Sequence, residues 1–96
     1  GMTKKEILEL LPKSQEEKQE ISRKKIAEKF FKENEILRKM IQPVEEGEYF
    51  ISISDLKKVE CPIKRHNGKD YWEAFFICLG FEYYMEPRKG GVHLYI

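Results

Sequence analysis

Residues 70–96 read DYWEAFFICLGFEYYMEPRKGGVHLYI, and the fold turns on this stretch. Asp70 can accept from the free backbone N–H groups of a helix start, and Gly80 stands where a left-handed glycine closes a helix, so the spacing predicts a helix over 71–79. Its side chains are apolar on nearly every side. Trp72, Phe75, Phe76 and Leu79 share one face, Ala74, Ile77 and Cys78 lie largely opposite, and Glu73 is the one charge. A helix that is apolar all round is covered on two sides, which puts this one between a hairpin and either a long helix or a second subunit. Phe81–Glu86 and Val92–Ile96 then alternate as strands do, and Pro87-Arg88-Lys89-Gly90-Gly91 between them predicts a hairpin with a five-residue loop. Phe81, Tyr83, Met85, Val92, Leu94 and Ile96 are expected to face the core, and Glu82, Tyr84, Glu86, His93 and Tyr95 to face away from it.

Upstream, Ile63–Lys69 is a polar loop with Asn67-Gly68 as a turn signal. Tyr49-Phe50-Ile51-Ser52-Ile53 has the aromatic and β-branched content of a strand, and Ser54 can cap a short helix from Asp55 to about Val59 that Cys61-Pro62 stops. No Gly or Pro stands between Ser14 and Pro43. One helix is therefore expected over 15–41, on the order of 40 Å long at ~1.5 Å per residue. Ile26, Phe30, Leu37 and Ile41 form an apolar stripe on its second half, while the first half offers only Ile21. Thr3-Lys4-Lys5-Glu6 and Ser14-Gln15-Glu16-Glu17 are capping boxes that open this helix and a shorter one before it. The shorter helix carries Ile7, Leu8, Leu10 and Leu11 on one side and meets Pro12. The whole reads as an N-terminal helical arm over 2–13 and a single small α+β domain over 14–96, with a long N-terminal helix, short helices and a small antiparallel sheet ending in a C-terminal β-hairpin. Gly1 ahead of Met2 reads as a cleavage remnant.

Eighteen Lys and Arg against seventeen Asp and Glu give a formal charge of +1, which argues against a uniformly basic nucleic-acid coat. A chain of 96 residues buries only roughly 60–65% of the surface its unfolded form exposes. A homodimer or another protein partner, held through the N-terminal helices, is the expected source of further stability. No run of about 18 apolar residues exists, and no apolar segment follows a basic start, so neither a membrane span nor a secretory signal is expected and the cytoplasm is the default compartment. Cys61 and Cys78 form no CxxC pair and read as free thiols. Cys61, His66, Cys78 and His93 lack the closely paired spacing that anchors zinc, and no metal or cofactor is expected. No Ser/His/Asp set, HExxH, phosphate loop or dinucleotide fingerprint is present, so no catalytic residue is assigned and an enzyme is not expected.

Two family resemblances follow from these residues. The order of long helix, strand Tyr49–Ile53, short helix Ser54–Val59, helix Asp70–Leu79 and hairpin Phe81–Ile96 resembles the winged helix-turn-helix over about residues 26–96. That resemblance implies a winged-helix-like fold that binds DNA as a non-catalytic regulatory module, with the third helix in a major groove and the wing beside the phosphate backbone. Lys57, Lys58, Lys64, Arg65 and Lys69, with His66 and Asn67 as hydrogen-bonding companions, and Arg88 and Lys89 at the wing tip are the candidate phosphate contacts. The apolar helix over 71–79 offers no polar face for reading bases, so backbone contact is the implied mode. The second resemblance is carried by Leu79-Gly80-Phe81-Glu82 and Gly90-Gly91-Val92-His93-Leu94-Tyr95, which look like the helix, hairpin and histidine of HicA-type toxin ribonucleases. It implies RNA cleavage centred on His93. A third reading is a protein-interaction or homodimerisation domain, to which outward Tyr84, His93 and Tyr95 and the leucine-bearing arm would contribute.

Overall fold

A computed structural model of the chain describes residues 1–64 and 70–96. Along the chain run α1 (Lys4–Leu10), α2 (Gln15–Glu33), α3 (Glu35–Met40), β1 (Gln42–Glu45), β2 (Glu48–Ser52), α4 (Ile53–Leu56), α5 (Tyr71–Cys78), β3 (Glu82–Glu86) and β4 (Gly91–Tyr95), with a 3-10 turn over Pro87–Lys89. The strands form one antiparallel sheet in the order β1-β2-β4-β3. The α+β class, the long N-terminal helix and the C-terminal hairpin are those read from the sequence.

The core lies on one face of the sheet. Ile51, Val92 and Leu94 from β2 and β4 are fully buried against Phe75 and Phe76 of α5, with Ala27 of α2, Leu37 of α3 and Leu56, Cys61 and Ile63 closing the remaining sides. Helix α5 sits between the sheet and α2, as its all-round apolar character requires. Phe75 meets Phe30 of α2 edge to face at 5.8 Å, while Phe76 meets Phe81 edge to face at 5.8 Å and stacks with Tyr83 of β3 at 6.2 Å. Full burial of each such ring stabilises the fold by ~1.5–3 kcal/mol, and the pair geometry adds ~0.5–1.5 kcal/mol. Asp70 caps the helix as read, its Oδ1 accepting from Trp72 N–H at 2.8 Å, and Gly80 follows at φ +98°.

Several boundaries differ from the sequence reading, each for a local reason. The helix expected over 15–41 is broken at Asn34 (φ −104°, ψ 89°), whose Oδ1 accepts from Leu37 N–H at 2.8 Å and so opens α3. Arg38 reaches back to satisfy the end of α2, its Nη1 donating to the carbonyls of Phe31 (2.5 Å) and Lys32 (2.7 Å). Short polar side chains that bond nearby backbone compete with the helix in this way. Pro43 does more than stop a helix, since it lies in edge strand β1, where a missing N–H is tolerated. The short helix begins two residues earlier than expected, because Ser52 and not Ser54 accepts from Asp55 N–H at 3.1 Å. Met85 and Ile96 are exposed at 52% and 72%, against the expectation that both face the core. α5 packs over Phe81 and Tyr83 but contributes no ring beyond them, and Ile96 lies past the last paired residue of β4.

At the other end of the molecule no residue before Ala27 is buried, and α1 contributes nothing to the core. With α1 and the first turns of α2 outside it, the protein measures 50 × 29 × 25 Å. Among the described residues no helix is long and apolar enough to cross a membrane.

Candidate functional site

The candidate phosphate contacts and their companions divide into three groups. Arg65, His66, Asn67 and Lys69 lie outside the described residues. Lys58 and Lys64 are exposed but already paired, Lys58 Nζ with Asp55 Oδ1 at 2.9 Å and Lys64 Nζ with Glu60 Oε1 at 2.6 Å. Those lysines hold the Asp55 and Glu60 carboxyls below their ordinary range. Lys57, at the C-terminal cap of α4, and Arg88 and Lys89, in the 3-10 turn, are exposed and without a carboxylate partner among the described residues. The topology brings these three to one end of the sheet, where β2 ends, β3 ends and β4 begins. A backbone bond from Ile53 N–H to Gly90 C=O at 2.9 Å ties the hairpin tip to the start of α4.

The outward face of β2, β4 and β3 is aromatic and acidic. His93 is centred on it, with Phe50 and Tyr84 as its direct cross-strand neighbours. Its ring lies 5.2 Å from Phe50 and stacks with Tyr95 at 6.4 Å, and Tyr84 meets Tyr95 edge to face at 5.6 Å. Glu48 Oε2 is 3.2 Å from His93 Nδ1, and Glu86 Oε2 is 3.8 Å from Nε2. The shorter contact lacks hydrogen-bond alignment, and Nδ1 is otherwise buried without a partner. Tyr95 donates to Glu48 at 3.3 Å and Tyr84 to Glu82 at 2.9 Å. The Tyr84 phenol is pushed above its ordinary range chiefly by Glu82, and that of Tyr95 by burial and then Glu48. Positions 48, 50, 52, 82, 84, 86, 91, 93 and 95 hold no Lys or Arg. The His93 side chain is 12% exposed. Carboxylates around a mostly covered imidazole, with no cation beside them among the described residues, repel a phosphodiester. Among the described residues no three His, Cys, Asp or Glu side chains are grouped to hold a metal ion.

The third place is formed by the N-terminal helices. Ile7, Leu8, Leu10 and Leu11 are 45%, 54%, 75% and 52% exposed, and Ile21 of α2 is exposed as well. Thr3 caps α1 through its hydroxyl, which accepts from Glu6 N–H at 3.2 Å, and the Ser14–Glu17 capping box opens α2 as read. Beyond this arm, α2 and α5 leave a groove with Glu20, Arg23 and Lys24 on one wall and Ala74, Ile77 and Cys78 on the other. Arg23 Nε is buried there without a hydrogen-bond partner, and Ile77 is 41% exposed. Burial pushes the Cys78 thiol up, while Arg23 and Lys24 pull it down. Both cysteines are free, as read.

Sequence reasoning singled out His93, Tyr84 and Tyr95 but missed their partners Glu48 and Phe50. The alternation Glu48, Phe50, Ser52 carried that signal once β2 is started at residue 48. The α2–α5 groove was not legible, because it depends on which turn of α2 meets α5. No family model, no curated protein and no solved structure matches this chain.

Proposed function

We propose that the chain is a non-catalytic binding module that works through protein contacts made by its N-terminal arm, self-association first among them. The observation that carries this reading is α1, a capped helix whose three large apolar side chains, with Leu11 at its C-terminal cap, are all at least 45% exposed. A helix of seven residues is far below the ~12–15 that persist alone in water, so its stability must come from a surface that covers it. Its apolar residues cluster on one side, as partner-binding helices do. A small domain also gains most from such cover. Light scattering tests the reading: the full chain should be a dimer, and removal of residues 2–13 should return a monomer. A full chain that is monomeric at every concentration contradicts it.

A second reading is winged-helix-like contact with a nucleic-acid backbone, favoured by the strand order β2-β4-β3, with α4 and α5 between β2 and β3, and by the Ile53–Gly90 bond. Lys57, Arg88 and Lys89 would then hold phosphates at one end of the sheet, joined by Lys58, Lys64, Arg65, His66 and Lys69. Duplex DNA should be retarded at low salt and released steeply as salt rises. Replacing Arg88 and Lys89 by Ala should flatten that salt dependence, and no retardation at micromolar protein contradicts the reading.

A further inference from the structure

We propose that the outward face of the sheet, opposite the core, is a docking surface for a basic, extended segment of another protein. This surface is separate from the N-terminal arm, so neither outcome for self-association decides it. None of its side chains joins the core. The register sets Glu48, Tyr95 and Glu82 in one row across β2, β4 and β3, and Phe50, His93 and Tyr84 in the next. Tyr84 and Tyr95 are 54% and 37% exposed, and their rings meet at 76° with centroids 5.6 Å apart, which makes an exposed aromatic corner.

Charge names the occupant. Glu48, Glu82 and Glu86 bring three carboxylates to the nine outward positions of β2, β4 and β3, which include no Lys or Arg although the chain carries eighteen. His93 is the one base among them, and its side chain is 12% exposed. Arg88 and Lys89 lie beyond Glu86 in the hairpin turn, and among the described residues neither pairs with any of the three. Tyr84 donates to Glu82 and Tyr95 to Glu48, so each exposed ring has a carboxylate held at its hydroxyl end. A guanidinium or ammonium laid on either ring gains cation–π attraction within ~6 Å of the centroid and has a carboxylate to pair with. An anion meets only repulsion there.

The spacing calls for an extended chain. Glu82 and Glu86 stand four residues apart on β3, on the order of 13 Å at ~3.3 Å per residue, with Tyr84 between them on the same face. An extended segment lying along β3 presents residues i, i+2 and i+4 to the sheet at the same spacing. Cations at i and i+4 then reach the two carboxylates, and the residue between them packs on Tyr84. On a helix the i and i+4 side chains are only ~5–6 Å apart at their β-carbons and fall well short of that span.

Fluorescence anisotropy of three labelled peptides, titrated with the full chain, tests the proposal. Gly-Thr-Arg-Thr-Val-Thr-Arg-Thr-Gly sets its arginines on one side of an extended backbone, Gly-Thr-Arg-Thr-Val-Arg-Thr-Thr-Gly sets them on opposite sides, and the third has Glu for Arg in the first. The first should bind saturably and more weakly as salt rises, the second should bind less well, and the third should not bind. Glu82 and Tyr84 are exposed and the Glu86 side chain is 41% exposed, so changes there spare the core. Glu82→Gln with Glu86→Gln should weaken the first peptide ~3- to 10-fold, and Tyr84→Leu should weaken it ~2- to 5-fold. Glu9→Gln with Glu16→Gln removes as much charge from exposed positions off the face and should leave binding unchanged. No saturable binding up to ~1 mM protein, equal binding of the first two peptides, or an equal loss from the Glu9 and Glu16 pair overturns the proposal.

Discussion

The ring of Phe50 lies against the α-carbon of Gly91 on the neighbouring strand, so closely that a β-carbon at 91 would overlap the ring's Cζ and Cε2. This contact lets the ring settle beside His93 on the outward face, and it makes Gly91 a packing glycine. Gly91→Ala should destabilise the fold by ~1–3 kcal/mol, the usual cost of overpacking a filled site. Phe50→Ala in the same chain should recover part of that loss. Thermal melts of the two single variants and the double variant measure the coupling, and strictly additive losses contradict the contact.

The break at Asn34 should behave as a double cap. Asn34 Oδ1 holds Leu37 N–H, and Arg38 Nη1 holds the carbonyls of Phe31 and Lys32. Asn34→Ala should cost ~1 kcal/mol through the lost cap on α3. Arg38→Met keeps most of the aliphatic stem but loses both bonds, so it should also destabilise and should lower amide-exchange protection at the end of α2. Unchanged denaturant midpoints for both variants contradict this description of the helix junction.

The junction also marks where the sequence stopped being legible. Asp70, Gly80 and the alternation after Phe81 were enough for α5 and the hairpin, because each signal is local: a cap, a left-handed glycine, a period of two. Asn34 was passed over because Asn is tolerated inside helices, and only the reach of Arg38 back to Phe31 makes the break favourable. β1 was hidden by Pro43, which reads as a terminator until its edge position in the sheet is known. Met85 and Ile96 kept the right alternation for burial, yet α5 does not extend to cover them. Of the candidate phosphate contacts, Lys57, Lys58, Lys64, Arg88 and Lys89 are exposed, but Lys58 and Lys64 are engaged by carboxylates three and four residues away. The leucine-bearing arm was plain from spacing alone, whereas the groove lined by Glu20, Arg23 and Lys24 needed the packing of α2 on α5.

Cys61 gives a pH dependence with a definite sign. Its thiol is buried, and burial pushes it up to about 11 from an ordinary 9.0. The folded chain therefore keeps a proton that the unfolded chain releases first, and stability is lost as pH rises from about 9 toward 11. In melts across that window the parent should lose more stability than Cys61→Ala. Below pH 8 the two curves should run parallel, offset by the small cavity. Equal slopes for parent and variant above pH 9 contradict the assignment.

Sedimentation of the parent beside two contrasting variants tests the central claim most directly. Leu8→Ser with Leu11→Ser alters only the exposed face of α1, so each change should shift chain stability by no more than ~0.5 kcal/mol. Phe75→Ala empties the core and should cost ~3–5 kcal/mol. The account predicts a parent that moves from monomer to dimer with rising concentration, and a Leu8/Leu11 variant that stays monomeric and melts as the parent does at concentrations where the parent is monomeric. A variant that dimerises as strongly as the parent, or a parent that never dimerises, contradicts it.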